Sequence, residues 1–473
     1  MNIKHIISIL VIALCGSACS DWFDVSPDTQ IKSDEFFKDE TGFQSALTGC
    51  YMRMTKDETY GKNLSYYFLE KLAQRYDDTD GKLAGRNANV YIYTDSEYSK
   101  DILAKIWQHM YQTIANINNL IARLDQNGKE VIKTPGSWEL MRGEALALRA
   151  FHHFDLLRMF GPIYKDEPEM PCIPYRTEFK PEKSPLLSAS KVLENIIADL
   201  QEAEKYLAQD SVEWGAIPDR PFDAYRGHRM NKYATKALLA RVYLYRGTDA
   251  DKAEAGRLAK EVIDHCGLKL VRDNQIDNPM WNETLFGLNM DEMEDRVRDY
   301  FSTSGADNGT KLWIKQDNWS GLYETSQSVG INDIRGKENY GFYPGGTNGK
   351  MCRKYLPSTD IRYTEKIPLI RLGEMYLIAA EATGDVQYLN DLRNARGISI
   401  SWDVENVDET ALDKEYCKEF FAEGQYFYFL KRHAMKTFYR CVPELENKMS
   451  DRQYVFPLPD GEKEYNWSAG ETK

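Results

Sequence analysis

Apolar residues recur at helical spacing along most of the chain. Between Phe43 and Met54 they return every three or four residues, and between Ile102 and Leu124 the same spacing continues for about six turns of α-helix. Such a pattern places the apolar side chains on one face of each helix. It predicts further helices near residues 138–159, 188–208, 231–246, 252–265, 368–383, 385–395 and 410–432.

Several of these predicted helices carry alanines between their larger apolar residues. Small side chains let neighbouring helices approach closely, as paired-helix repeats require. Because the spacing between the helices is irregular, we expect a mostly α fold built from helix pairs, over residues 33–266 and 367–433, rather than a regular solenoid. The alanines in question are Ala145, Ala147, Ala150, Ala234, Ala237, Ala240, Ala379, Ala380 and Ala382.

Two long segments interrupt the helical pattern. Residues 56–98 contain Gly, Asp and many Tyr with little periodicity, and residues 267–366 are richer still in Gly, Asn and Trp. Loops of this length are uncommon in compact domains unless they serve a function. We therefore predict that these two excursions from the scaffold carry the ligand surface.

The N-terminus has the pattern of an export signal. A basic residue at Lys4 precedes an apolar stretch from Ile6 to Cys15, which is too short for the roughly 20 residues of a membrane span. Small residues then lead directly to Cys19, an arrangement that resembles a bacterial lipobox. We predict that residues 1–18 are removed and that Cys19 carries the lipid; the alternative is ordinary cleavage beside an incidental cysteine.

Charge and cysteine usage narrow the functional classes. A net charge of −13 disfavours nucleic acid and anionic lipid surfaces as partners. Cys50 lies on an apolar helical stripe and is predicted to be a buried free thiol. The other cysteines are widely spaced, with no Cys-x-x-Cys or mixed Cys/His pattern, so the sequence predicts neither a metal site nor a cofactor.

Candidate ligand-binding residues lie in both excursions. Flat aromatic rings suit the apolar face of a sugar, and polar neighbours can bond its hydroxyls. The alternatives are that the rings pack loops onto the scaffold and that the polar residues form a solvated turn. The candidates are Trp281, Trp313, Trp319, Tyr323 and Tyr343 in the longer excursion, and Arg75, Tyr76 and Asp78, with Asp77 between them, in the shorter one.

Signals of catalysis are weak in this sequence. It contains no Gly-x-Ser-x-Gly, His-Glu-x-x-His, phosphate loop or dinucleotide fingerprint. His152 and His153 resemble metal ligands, but neighbouring helical residues point about 100° apart. The stretch from Asp78 to Gly81 resembles part of a calcium loop, yet no Glu closes it at the required distance. We therefore predict a binding protein and not an enzyme.

A set of motifs spread over nearly the whole chain resembles, in the same order, those of SusD/RagB-type outer-membrane lipoproteins. The most extended is the helix Gly143–Gly161, and the other motifs follow the export signal or lie in the second half of the chain. These are Asp24–Pro27, Arg371–Ala382, Leu389–Gly397, Lys418–Gly424 and Phe456–Pro459.

The resemblance implies a fold and a function. It implies that residues 19–473 form one SusD-like domain on a tetratricopeptide-like scaffold of helix pairs, with loop excursions at about 56–98 and 267–366. It implies a lipid-anchored protein on the outer face of the outer membrane, which captures glycans for a partner TonB-dependent transporter of the SusC type without cleaving them. A helical-repeat module that binds peptide or protein, and a glycoside hydrolase, are the alternatives.

Overall fold

The computed structural model describes residues 34–77, 91, 93, 94, 97–217, 220–303, 311–345, 349–440 and 446–462. The predicted signal peptide and the predicted lipidation site at Cys19 lie outside these residues. The helices of the first half are α1 (Glu40–Met54), α2 (Phe68–Leu72), α3 (Glu97–Arg123), α4 (Lys129–Val131), α5 (Ser137–Phe160), α6 (Ala189–Tyr206), α7 (Lys232–Arg246) and α8 (Asp249–His265).

The second half mixes short strands with helices. The helices are α9 (Met293–Phe301), α10 (Gln316–Tyr323), α11 (Leu372–Thr383), α12 (Val386–Ala395), α13 (Glu409–Glu419), α14 (Gln425–His433) and α15 (Asp451–Tyr454). The strands among the described residues of both halves are β1 (Pro171–Ile173), β2 (Leu187–Ser188), β3 (Thr284–Asn289), β4 (Ile314–Lys315), β5 (Phe342–Pro344), β6 (Gly349–Cys352) and β7 (Lys366–Arg371).

The scaffold is a succession of packed helices, as the periodicity predicts. Helix α5 lies between α3 and α6, helix α7 lies between α6 and α8, and α11 packs on both α8 and α12. Alanines at these contacts, such as Ala145 and Ala237, are fully buried. The prediction of a mostly α fold is confirmed. Among the described helices, none is long and apolar enough to cross a membrane.

Two predicted helices have different bounds in the structure. The helix expected from residue 368 begins at Leu372, because residues 366–371 form β7 and pair antiparallel with β3. The helix expected over 410–432 is broken between Glu419 and Gln425. At this break Ala422 and Gly424 adopt positive φ angles of 64° and 72°, which an α-helix cannot accommodate.

Helix α5, which carries the longest motif, lies in the interior, and its polar side chains are paired there. Arg149 forms two 2.7 Å hydrogen bonds with the carboxylate of Asp199. His152 and His153 each place Nδ1 within 2.9 Å of the carbonyl four residues earlier. Burial lowers the pKa of His152 to about 4 and that of His153 to about 3. These polar residues therefore serve packing inside the scaffold.

Much of the first predicted excursion is also interior. Tyr60, Tyr66 and Phe68 are buried in the main hydrophobic core, and α2 packs against α14. This segment contacts the second excursion at several places: Asp57 pairs with Arg296 at 2.8 Å, Tyr66 packs against Phe301, and Asp77 bonds residues near Trp313. In that second excursion, β4, β6 and β5 form a small antiparallel sheet in this spatial order. Cys50 is buried and unpaired, as predicted.

Candidate functional site

Asp77 joins the two predicted excursions at one partly exposed place. Its backbone N–H donates to the carbonyl of Trp313 at 2.9 Å, and its carboxylate accepts from the backbone N–H of Lys315 at 2.6 Å. The side-chain amide of Asn318 donates to the same carboxylate, also at 2.6 Å. Residues some 240 positions apart in the sequence are thus held together by hydrogen bonds.

Arg440 completes this group from the C-terminal part of the chain. Its Nη2 lies 3.5 Å from the Asp77 carboxylate. The neighbouring Tyr439 donates its hydroxyl to the carbonyl of Gly321 at 2.9 Å, which attaches this segment to α10. Nη1 of Arg440 is buried and has no hydrogen-bond partner among the described residues. We refer to Asp77, Trp313, Lys315, Asn318 and Arg440 as the Asp77 surface.

The ring of Trp313 is partly exposed and fixed in place. Strand β6 runs beside it, with Gly349 paired to Lys315 of β4. A Cβ atom at Gly349 would lie 2.1 Å from Cε3 of the Trp313 ring, so only glycine permits this close approach. The backbone of β6 therefore supports the indole and restricts the positions that the ring can take.

The electrostatics of the Asp77 surface combine one carboxylate with cationic and amide groups. Burial lowers the pKa of Arg440, and the opposite charge of Asp77 works against this effect. Lys315 and Asn318 are exposed to solvent, whereas the side chains of Asp77 and Arg440 are mostly covered. The surface thus offers both donors and acceptors beside an aromatic ring, which is the chemistry that hydroxyl-rich ligands require.

Four of the predicted ligand-binding side chains are buried. Tyr76 donates its hydroxyl to the carbonyl of Tyr66 at 2.7 Å, and Trp319 donates its indole N–H to the carbonyl of Gly336 at 3.0 Å. Tyr323 is fully buried. The burial of these three rings favours the alternative interpretation, in which they pack loops onto the scaffold.

Arg75 is the fourth buried candidate. Its guanidinium lies 4.8 Å from the centre of the Phe421 ring and 5.0 Å from that of Tyr426, and it donates to Sγ of Cys417 at 2.6 Å. It has no exposed surface. Arg75 therefore fastens the end of the first excursion to the interior, and in this way it fixes the position of Asp77 two residues later.

Trp281 and Tyr343 are partly exposed but lie against other residues. The Trp281 ring is 4.6 Å from that of His228, and Nζ of Lys366 lies 5.3 Å from its centre. Tyr343, on β5, donates its hydroxyl to the carbonyl of Phe301. The structure therefore does not unite all the predicted aromatic residues in one site. Asp78 lies outside the described residues.

Of the polar residues that surround Trp313, the sequence alone identified Asp77, which lies in the predicted polar segment with Arg75, Tyr76 and Asp78. It did not identify Lys315, Asn318 and Arg440. Lys315 and Asn318 flank a predicted tryptophan. Arg440 gave no signal, because 363 residues separate it from Asp77 and nothing in the spacing relates them.

Comparison with known proteins places this architecture in a family. A family model described as starch-binding and associated with the outer membrane (SusD-like) matches residues 21–244. A second model, described as the SusD family (SusD/RagB), matches residues 274–470. The two matched segments leave residues 245–273, which include α8, between them, and together they cover most of the chain.

Individual relatives agree with these models. SusD-like protein P2 of Formosa agariphila is 27% identical over 268 residues, which are 55% of this chain and 46% of that protein. The match thus spans about half the length of this relative. A SusD-like carbohydrate binding protein from Bacteroides vulgatus has a TM-score of 0.69 at 17% identity, covering 91% of this chain and 97% of that one.

A second solved structure is similar over nearly the whole chain. Surface glycan-binding protein A from Bacteroides thetaiotaomicron has a TM-score of 0.64 at 15% identity, over 92% of this chain and 98% of that one. At these identities the solved structures establish the fold, and the family models establish the sequence relationship. The chain therefore belongs to the SusD family.

Proposed function

We propose that this protein binds glycans at the Asp77 surface. The observation that carries the proposal is the partly exposed, glycine-supported ring of Trp313 beside the polar groups of Asp77, Asn318 and Arg440. An aromatic platform takes the apolar face of a sugar ring, while amide, carboxylate and guanidinium groups take its hydroxyls. Membership of a family whose model is described as starch-binding supports the same ligand class.

The protein is proposed to bind without cleaving its ligand. The Asp77 carboxylate accepts hydrogen bonds from Lys315 and Asn318 and faces Arg440, so its oxygens are engaged in holding the surface together. Such a carboxylate serves as a fixed acceptor for hydroxyls. Incubation with oligosaccharides is therefore expected to yield no new reducing ends; their reproducible appearance would contradict this part of the proposal.

The proposed cellular role is capture for uptake. We propose that residues 1–18 are removed, that residues 19–473 form a single domain, and that lipidated Cys19 holds it on the outer face of the outer membrane. There it would deliver glycan to a TonB-dependent transporter of the SusC type. A tether in the same membrane raises the effective concentration of the protein beside such a transporter, so weak and exchangeable binding suffices.

Membrane attachment and partner can be tested in one preparation. Protein from the native membrane should carry acyl mass on Cys19 and should copurify with a TonB-dependent transporter after mild cross-linking. A Cys19→Ser variant should appear in the soluble fraction. Recovery of wild-type protein without lipid, or without any transporter, would contradict the corresponding part of the proposal.

Glycan binding is tested by retention in native gels that contain neutral polysaccharides, starch among them. The wild-type protein should be retarded by at least one polysaccharide, and Trp313→Ala and Asn318→Ala should each reduce this retardation. Trp402→Ala is the matched control, because Trp402 is 46% exposed and is not part of the Asp77 surface. Unchanged retardation of both Trp313→Ala and Asn318→Ala would overturn the proposed site.

A further inference from the structure

A concave site is present that shares no lining residue with the Asp77 surface. It is a cleft of about 770 Å³ between α3, residues 176–181 and residues 459–462. This volume is within the range of small-molecule sites, roughly 300–1,000 Å³. None of the residues that line it belongs to the candidates predicted from the sequence.

The floor of the cleft is aromatic and rigid. Trp107 and Tyr111 of α3 line it, with their ring centres 4.7 Å apart. The Trp107 ring packs at 4.9 Å against Phe160 of α5, and Tyr111 donates its hydroxyl to the carbonyl of Pro174 at 2.8 Å. Both rings are thus held by the scaffold.

One wall is a loop that is closed by its own arginine. Nη2 of Arg176 donates to the carbonyls of Lys180 and Glu182, at 2.8 and 2.7 Å. The loop is also tied to the scaffold, since the backbone N–H of Arg176 donates to Nε2 of His153 at 3.0 Å. Asn118 of α3 donates to the carbonyl of Arg176 at the same distance. The wall is therefore preformed.

Phe179 lies within this fixed loop and is 57% exposed. A large apolar side chain in this position contributes little to the core, yet the loop holds it at the edge of the cleft. Because the backbone of the loop is held in place before binding, less conformational entropy is lost when a ligand stacks on Phe179. The arrangement suits a ligand with a flat apolar face.

The polar lining indicates the charge of that ligand. Gln108 and Gln112 of α3 present amides, which both donate and accept hydrogen bonds. The charged residues of the lining are balanced in sign, with two cations and two carboxylates: Arg176, Lys180, Glu178 and Glu462. A balanced lining favours a neutral ligand that carries hydroxyls over an anion, a cation or a charged peptide.

We infer that this cleft is a second binding site for a short neutral oligosaccharide, with Phe179 as its stacking platform. The inference rests on the proposed glycan binding of this chain and adds a site that uses different residues. Two sites on one chain would hold a long polysaccharide at two points, and its release would then require both contacts to open.

The test is a calorimetric titration with the oligosaccharides derived from whichever polysaccharide retards the wild-type protein. We expect two sites per chain for the wild type, and one for either Phe179→Ala or Trp313→Ala. We also expect affinity for the long polymer to fall by about tenfold or more in each variant. Trp402→Ala is again the matched control, and Gln108→Ala should weaken only the site that Phe179→Ala removes.

The outcomes separate the two proposals. If Trp313→Ala abolishes all binding and Phe179→Ala changes nothing, the cleft inference is wrong and the Asp77 surface stands. If the reverse holds, the cleft is the glycan site and the Asp77 surface is wrong. If neither variant changes binding, both fail. If Phe179→Ala binds oligosaccharide normally but no longer cross-links to a membrane protein, the cleft is a protein interface and the inference is overturned.

Discussion

Removal of the positive charge of Arg371 should destabilise this protein more than loss of any exposed arginine. Arg371 has no exposed surface, and its guanidinium faces three carboxylates at 2.7–2.9 Å: Glu283, Glu419 and Glu423. It belongs to a larger buried cluster in which five cations meet five carboxylates. The cations are Arg335, Lys354, Arg371, Arg393 and Arg396, and the carboxylates are Glu283, Asp333, Glu415, Glu419 and Glu423.

The size of the effect follows from this balance. Arg371→Met preserves much of the side-chain volume but leaves five carboxylates against four cations. Burial opposes the ionisation of Glu419, whereas Arg396 and Arg371 hold its pKa well below the usual range. Breaking a buried ion pair by removing one partner costs about 3–5 kcal/mol. Since folded proteins are stable by only about 5–15 kcal/mol, this is a large fraction of the total.

Urea unfolding followed by tryptophan fluorescence measures the decrease in the free energy of unfolding. The matched control is Arg257→Met, because Arg257 is paired with Glu254 and Glu261 on the exposed face of α8 and such pairs contribute about 0.2–1 kcal/mol. In the double variant Arg371→Met/Glu419→Gln the buried charges balance again. Its decrease in the free energy of unfolding should therefore be smaller than the sum of the decreases in Arg371→Met and Glu419→Gln. A loss below about 1 kcal/mol for Arg371→Met, equal to that of Arg257→Met, would refute the reasoning.

Two further predictions concern pH and the support of Trp313. Burial raises the pKa of Glu70 to about 7 from its usual 4.5, so its stabilising contribution is complete below pH 4.5 and is lost as the pH rises through 7. Urea midpoints at pH 5 and pH 8 should differ less in Glu70→Gln than in the wild type; an identical difference would contradict the assignment. Gly349→Ala should displace the Trp313 ring and reduce glycan retention, whereas Gly49→Ala, where an added Cβ has nothing within 4 Å, should not. Equal retention by both variants would show that glycan binding does not depend on the position of the Trp313 ring.

The scaffold could be predicted because the buried face of each helix gives apolar residues a helical periodicity in the sequence. The error at 368–371 has a physical cause, since the apolar run from Ile367 to Ile370 is compatible with both a buried strand and a helix. The segment forms a strand because it pairs with β3, which lies some 80 residues earlier in the sequence. The break before α14 depends on Glu70, whose carboxylate accepts from the backbone N–H groups of Ala422 and Gly424 at 2.8 and 2.9 Å.

The family motifs also acquire a physical explanation. Arg371, Glu374 and Arg396 were recognised in the sequence as parts of motifs, without a stated role. In the structure Glu374 forms two 2.6 Å hydrogen bonds with Arg241, while Arg371 and Arg396 share Glu283 and Glu419. At these three positions the motifs of the family thus correspond to buried charges with buried partners of opposite sign.

The candidate site was predictable only in part. Trp313 and the segment that contains Asp77 were identified, because aromatic and polar residues in long irregular segments are typical of binding surfaces. The same criterion selected Trp319 and Tyr323, which are buried. Composition cannot distinguish a ring that packs a loop from a ring that meets a ligand, since both need the same apolar face. Phe179 was missed because it lies in neither excursion.

The most direct test of glycan binding at the Asp77 surface is a crystal structure of the protein with a neutral oligosaccharide from the retarding polysaccharide. We predict a sugar ring stacked on Trp313, with its hydroxyls within hydrogen-bond distance of Asn318, Asp77 or Arg440. Sugar bound only at other residues, with Trp313 free, would contradict it.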